Sequence, residues 1–563
     1  MRTEPQSQAQ TAGAKGHGHV GAFLAGALIL LVGSLLSRLL GGVYHFVLPI
    51  LMGGGTQAAV GMGLLGMAYP LYNVLLSLSA VGVPLGVSKM VAEAAARGRR
   101  WEAARIFRVA AVALAVLGAV LSVVLFLLAQ PVAIWIARDP RAAISIRAIA
   151  PAVFFVSLES AYRGLFQGLQ HMAPQAASQV VEQIIRVLTM FALAVLLLPR
   201  GIAFAAAGAS FGAVTGAAAG LAFLAIVIRR DPLARAVWQE LRAARAAETP
   251  QAAGSSQPGL STGTILARLT ALVVPIALAG MVLPMINVAD AVLVPLRLHA
   301  AGLGASATAL YGVLVGYALP FMVAPSIVTT ALAVSLVPSV SEAMARGARA
   351  LAKDRAAVGM RVTLLLTVPA AVGLFVLAGP LPQLLYHSPV TARPLAVLAW
   401  GVLFLGLQQT STGVLQGMGL PGVPVVNLLY GGAVKVLLTW WLVAIPGWNV
   451  TGAALATVAC FAVASLLNVR AVQTRLGPVV DRSAAGRVLA AAAVMGIVAE
   501  GVLRAASHHR LVVGVAATVV AGVAAYLVAL AAVGGVRRAD VESLPRVGKP
   551  LSRALTRMHL VRE

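Results

Sequence analysis

Apolar runs long enough to cross a bilayer recur fourteen times along this chain. They fall near 23–51, 62–88, 107–130, 148–169, 177–198, 202–228, 265–296, 308–338, 361–386, 394–417, 423–445, 450–469, 485–505 and 511–533. About 20 apolar residues in a helix span the hydrocarbon layer. The expected class is therefore an all-α polytopic membrane protein with about fourteen transmembrane helices. Composition agrees, at 60% apolar, 10% charged and a mean hydropathy of +0.92. Residues 1–20 carry no hydrophobic region and do not read as a cleavable signal, so the first run is expected to stay as a span.

An even number of spans puts both termini on one side, and the basic residues say which. With the N-terminus inside, the cytoplasmic segments hold thirty Lys and Arg and the outer segments seven. That asymmetry predicts both ends in the cytoplasm. It also accounts for the net charge of +25, since no aromatic–basic interleaving or nucleic-acid motif accompanies it. Cys460 stands alone in an apolar run, which excludes a disulfide framework and a thiolate metal site. His17 and His19 lie in a polar tail and are read as solvated, so no metal site is expected.

The polar, low-complexity stretch 248–263 has the composition of a flexible linker. It divides the first twelve spans six and six, and a repeat supports the division. VSKMVAEAAARG (87–98) lies over LVPSVSEAMARG (336–347), and GLFQG (164–168) over GVLQG (413–417), both at an offset of 249. Arg186 then falls over Lys435 and Gln167 over Gln416. The expected organisation is a polar tail (1–20), an N-lobe (21–228), a linker (229–264), a C-lobe (265–472), a two-helix appendage (473–533) and a basic tail (534–563). The two lobes are parallel repeats, an arrangement that usually places substrate between the halves.

Five cations fall inside the spans: Arg38, Arg163, Arg186, Arg297 and Lys435. A charge in hydrocarbon is costly, so by default it faces protein or a wet cavity. Glu159/Arg163 and Glu182/Arg186 are i,i+4 pairs with the acid first, each on one helix face. They are expected to form a four-member network between spans four and five at the cytoplasmic end, serving as a gate or as a static brace. Arg38 has no acid within a helical turn, and Lys435 has none nearby in sequence. Asp290 and Arg297 lie one heptad apart on roughly one face, a spacing long for a direct bond.

Four stretches, SLLSRLLGGVY (34–44), AYPLYNVLLSLSAVGVPLGVSKMVAE (68–93), YRGLFQGLQHMAPQAASQVVEQIIRV (162–187) and NVADAVLVPLRL (287–298), resemble the polysaccharide-exporter superfamily. That superfamily contains the MurJ lipid II flippases, O-antigen flippases and MATE multidrug transporters; within it the match is to the SpoVB/YtgP branch. The resemblance implies a two-lobed V with a central cavity and alternating access. The implied substrate is an undecaprenyl-diphosphate-linked saccharide, lipid II or a related cell-wall or spore-cortex precursor. Tyr44 and His45 depart from the MurJ pattern, which has further charge there.

On that footing Arg38, Arg186, Arg297 and Lys435 become substrate-binding candidates, because a diphosphate crossing hydrocarbon needs cations at mid-depth. Asp290 becomes a cation-coupling candidate. Each has a plainer alternative: Arg38 and Lys435 bonded to backbone carbonyls, Arg297 snorkelling to the interface. The expected location is the bacterial cytoplasmic membrane and the expected state a monomer. Expected partners are the lipid-linked substrate and membrane lipids, with cell-wall synthesis proteins compatible and nucleic acid excluded.

No P-loop, Gly-x-Ser-x-Gly elbow or zinc spacing is present, so neither an enzyme nor an ATP-driven pump is expected. No cofactor is implied. The work would come from an ion gradient, the membrane potential or the substrate gradient. A MATE-like cation-coupled antiporter is the alternative, and it wants acidic residues inside the lobes where this chain is mostly basic. A membrane glycosyltransferase is less favoured, since the outer loops offer little beyond Asp139.

Overall fold

The computed structural model describes residues 32–34, 36–37, 39–230, 235, 239, 260–506 and 510–534, with the backbone alone at Ala80 and Val81. Among them every regular element is helical, and fifteen helices are long and apolar enough to cross a membrane. They are α1 (Val32–Leu51), α2 (Gly55–Ala96), α3 (Arg100–Ile136), α4 (Ala142–Gly168), α5 (Met172–Arg200), α6 (Ile202–Arg230), α7 (Thr262–Ala300) and α8 (Gly304–Val323). After these come α9 (Ser326–Ala345), α10 (Arg349–Val376), α11 (Pro389–Gly417), α12 (Gly422–Leu442), α13 (Asn449–Leu476), α14 (Arg482–Ala505) and α15 (Leu511–Ala532).

The helical class holds, and the count differs from the sequence expectation by one. The apolar run near 308–338 is cut into α8 and α9, with Pro325 capping the second piece. Pro325 has no N–H to continue the ladder, and a π-helical turn at Val313–Ala318 already loosens the helix upstream. In α2 the matching region stays continuous but passes through a π-helical turn at Ser77–Val81.

The backbone carries the repeat more plainly than the side chains do. Gly55–Ala96 and Gly304–Ala345 match at both ends at the offset of 249, and so do the starts of α3 and α10 and the ends of α4 and α11. Left-handed φ recurs in step as well: Gly53 with Gly302, Gly98 with Gly347, Arg138 with His387, and Gln170 with Gly419. A positive φ at Arg or His is uncommon. Its recurrence at one spacing marks an internal duplication.

The chain forms two compact units. The first takes residues up to Tyr44, Met67–Trp135 and Asp139–Met285; the second takes His45–Gly66, Ile136–Arg138 and Ile286 onward. Helices α1, α2 and α7 therefore each change unit partway along. Helix α7 has the length for this, since its 39 residues reach about 58 Å. Its first turns bury Ile265, Leu269 and Val273 in the core of the first unit, beside Val83, Val87 and Phe166.

Within the second unit the opening turns of α2 lie against α8, and these are equivalent elements of the two repeats. A Cβ on Gly63 would collide with the Thr308 carbonyl oxygen, and one on Gly312 with that of Ala59. Gly63 and Gly312 are 249 apart, as are Ala59 and Thr308, so the contact is reciprocal. Tyr311 Oη donates to the Gly66 carbonyl (3.1 Å) and Tyr317 Oη to that of Gly55 (2.7 Å). The added pair α14–α15 docks on α10 through Val368, Val488, Met495 and Tyr526, whose hydroxyl donates to the Leu365 carbonyl (3.0 Å).

Gly312→Val should lower stability by about 1–3 kcal/mol, because the new side chain must push a carbonyl aside. Gly486→Ala, where an added Cβ meets nothing within 4 Å, should instead raise it by about 0.5–1 kcal/mol. Thermal midpoints of the detergent-solubilised variants read both.

Candidate functional site

Each unit holds a polar cluster sealed inside apolar helices. In the first unit it lies on α4 and α5, joined by a turn at Leu169–His171. Pro174 is accepted in the first turn of α5, where its missing N–H removes no helical bond. On α5 the residues Gln175, Ser178, Gln179, Glu182, Gln183 and Arg186 recur at three- and four-residue steps and share one face. Gln179 anchors that face to α1 by accepting a 2.8 Å bond from Ser34 Oγ.

Arg163 is the hub. Its Nη2 reaches Glu159 Oε1 at 2.8 Å and Glu182 Oε2 at 2.6 Å. The other oxygen of Glu182 accepts from Arg186 Nη2. The structure thus brings together Glu159, Arg163, Glu182 and Arg186 in one chain. The Glu159 side chain is 0% exposed and the other three are 12–18% exposed, so these are not solvent-screened surface pairs. Room for them comes from α6. A Cβ on Gly220 would meet Glu159 Oε1, and one on Gly216 would sit 2.7 Å from the Arg186 Cβ.

Around Arg186 stand three tyrosines, Tyr44 on α1 and Tyr69 and Tyr72 on α2, all within electrostatic range. The rings of Tyr69 and Tyr72 meet edge to face at 6.1 Å. Both hydroxyls, and Arg186 Nε, are buried with no hydrogen-bond partner among the described residues. Sequence reasoning noted Tyr44 only as a departure from a family pattern and missed Tyr69 and Tyr72. Their only signal was aromatic hydroxyls inside a span.

In the second unit Lys435 Nζ on α12 lies 2.5 Å from Asp290 Oδ2 on α7, with 6% and 8% of the side chains exposed. Lys435 therefore has an acidic partner that is distant in sequence, and Asp290 faces Lys435 rather than Arg297. Seven residues apart on a helix is about 10 Å, too far for a bond, whereas Lys435 reaches Asp290 from another helix. Arg297 turns to Trp440, donating Nε to its carbonyl oxygen at 2.8 Å with the guanidinium 4.4 Å over the ring. Arg38 lies outside the described residues.

At the offset of 249 the positions of Glu159, Arg163, Ser178, Glu182 and Arg186 become Gln408, Thr412, Asn427, Gly431 and Lys435. The second unit joins the first three of these without charge, while Lys435 keeps its pair with Asp290. Gln408 Nε2 donates to Thr412 Oγ1 (3.3 Å), Asn468 Nδ2 to the same oxygen (3.2 Å), and Asn427 Nδ2 to Asn468 Oδ1 (2.8 Å). One scaffold thus carries an ionic network in its first copy and a neutral one in its second.

A family model described as "Polysaccharide biosynthesis protein" matches residues 23–241. The chain is 28% identical over 533 residues to stage V sporulation protein B of Bacillus subtilis (strain 168), covering 94% of this chain and 99% of that protein. It is 28% identical over 461 residues to the lipid II flippase MurJ of the same organism, covering 79% and 81%. Among solved structures, lipid II flippase MurJ in an inward closed conformation superposes with a TM-score of 0.62 at 12% identity, covering 90% of this chain and 98% of that one. An inward-facing MATE-family multidrug resistance transporter of the MOP superfamily gives 0.63 at 12% identity, covering 79% and 94%. At that identity these likenesses are of fold.

Lys435→Met alone should cost about 3–5 kcal/mol, because it strands the Asp290 carboxylate in an apolar interior. Asp290→Asn with Lys435→Met should recover most of the loss. A thermal-midpoint cycle over the two singles and the double reads the coupling; a double variant as unstable as the sum of the singles would show that the pair does not act as one.

Proposed function

We propose that this chain is a member of the polysaccharide-exporter superfamily, as its similarities support, and that it is a flippase for an undecaprenyl-diphosphate-linked saccharide, lipid II or a related cell-wall or spore-cortex precursor. It is a multi-pass bacterial membrane protein. Of the relatives named above, those whose names state an activity are a flippase and a transporter, and none is named as an enzyme.

The observation that carries the reading is the set of unspent donors beside Arg186. Buried donors without an acceptor are costly. Arg186 Nε and the hydroxyls of Tyr69 and Tyr72 make three such donors within one unit. A diphosphate offers only acceptor oxygens, and a guanidinium fork suits them. Arg186 is therefore the first substrate contact in this proposal, with Arg38 as a further candidate cation. The ionic chain from Glu159 to Arg186 serves as the element that parts and re-forms as access alternates. Transport runs across the cytoplasmic membrane with both termini inside, an orientation supported by thirty cations on one side against seven on the other. The working unit is a monomer in contact with membrane lipid, and cell-wall synthesis proteins fit as neighbours. A cation-drug antiporter is the second reading. It loses ground because Asp290, the carboxylate that would hold a cation, is already engaged by Lys435.

Expression in a strain depleted of its own lipid II flippase tests the function. The wild-type chain should restore growth, and proteoliposomes should flip a lipid-linked disaccharide. Tyr69→Phe with Tyr72→Phe should lower the flipping rate roughly ten- to a hundredfold, the loss of charge-assisted hydrogen bonds worth about 1.5–3 kcal/mol. The same double variant should leave the thermal midpoint unchanged or raised, since it removes hydroxyls that have no partner in the protein. No rescue and no flipping by well-expressed wild type would overturn the reading.

A further inference from the structure

We propose that Glu159 is a proton-exchanging carboxylate, and that its protonation turns the neutral cluster of the first unit into a cationic one that favours an anionic ligand. The protonation stands on the geometry of the cluster, while its link to transport rests on the flippase reading above.

The two carboxylates of the cluster are served unequally. Glu182 has an arginine on each oxygen. Glu159, the more deeply buried of the two, has one oxygen on Arg163 and the other, Oε2, enclosed with no hydrogen-bond partner among the described residues. The Nη2 that Arg163 offers it is shared with Glu182. A bare, ionised oxygen in an apolar interior is a costly state. Adding one proton at Oε2 removes that charge and breaks no bond in the cluster.

The groups acting on Glu159 are Arg163 on its own helix and Glu182 and Arg186 on α5. Tyr72 on α2 is in electrostatic range, and α6 approaches the carboxylate at Gly220. With both acids ionised, two carboxylates face two guanidiniums and the cluster is neutral. With Glu159 protonated it carries one positive charge, held by Arg163 and Arg186. A proton and an anion then bind more tightly together than apart, and the linkage is reciprocal. The proton comes from water on one side of the membrane and leaves to water, so no other reactant is needed.

The second copy of the scaffold shows that the uncharged form fits this position. Gln408 stands where Glu159 does, 249 residues on, and is a near-isostere of a protonated glutamate. It bonds Thr412, the counterpart of Arg163. The charge-exchanging role is thereby confined to the first unit.

Infrared difference spectra of the lipid-reconstituted protein, taken between neutral and mildly acidic pH, read carboxyl protonation directly. The expected result is a protonated-carboxyl band in the wild type that is lost in Glu159→Gln and retained in Glu182→Gln. Glu159→Asp should displace the band, which decides the question even where Glu159→Gln does not fold. No band in the wild type, or one that Glu159→Gln leaves in place, overturns the proposal. In proteoliposomes loaded with a fluorescent undecaprenyl-diphosphate disaccharide, wild-type flipping should vary with pH and Glu159→Gln should be flat. A flat wild-type profile overturns the linkage to transport. Absence of any flipping overturns the flippase reading and leaves the infrared result to decide the protonation by itself.

Discussion

Arg163 serves two carboxylates through one nitrogen, and much of the first unit is arranged to make that tolerable. Two acids and two arginines inside apolar helices are stable only if each charge finds its opposite, because water cannot supply the difference. Helix α4 brings Glu159 and Arg163 four residues apart. Helix α5 brings Glu182 and Arg186 with the same spacing and closes the chain. Helix α6 then has to be thin where the charges are thick, hence Gly216 and Gly220 at the contact. The glycines are part of the electrostatics, since any side chain there would displace the carboxylate or the helix that holds it.

The duplication shows which features belong to the scaffold and which to the chemistry. Helix ends, left-handed turns and the reciprocal Gly63–Gly312 crossing repeat at one offset. The polar interior does not. Gln408, Thr412, Asn427 and Asn468 hold the second unit together with neutral hydrogen bonds, so a network at this position needs no charge to pack. A buried ion pair there, Lys435 with Asp290, joins α12 to α7 and leaves neither charge exposed. The first unit keeps four charges where the second manages with none at the four matching positions except Lys435, and packing alone gives no reason for the difference.

Sequence made the local half of this legible. The two i,i+4 pairs were visible because a helix turns the same face every four residues, and the repeat was visible because turns and tight crossings restrict which residues are accepted. Contacts between distant helices were not. Lys435 had no acid near it in sequence, and nothing in the pattern pointed 145 residues back to Asp290. The heptad spacing of Asp290 and Arg297 was already long for a bond, but the partners that the two take instead, Lys435 and Trp440 on α12, could not be read from it. Tyr69 and Tyr72 read as apolar-run residues until their hydroxyls proved to be buried near Arg186. The break at Pro325 was hidden by hydropathy, which scores a cut helix and a whole one alike.

The two cations at matched positions, Arg186 and Lys435, therefore have different freedom. Lys435 is held by a partner on another helix and has little charge left to offer a ligand. Arg186 is held by one nitrogen to Glu182, whose other oxygen is tied to Arg163, while its Nε has no partner among the described residues. An anion that competes for Arg186 pulls on a shared chain: loosening Glu182 from Arg186 leaves Arg163 to hold both acids. The second unit has no such chain to pull. The asymmetry of the interior thus leaves a four-member charge network in one copy of the scaffold, and in the other a buried ion pair beside neutral hydrogen bonds.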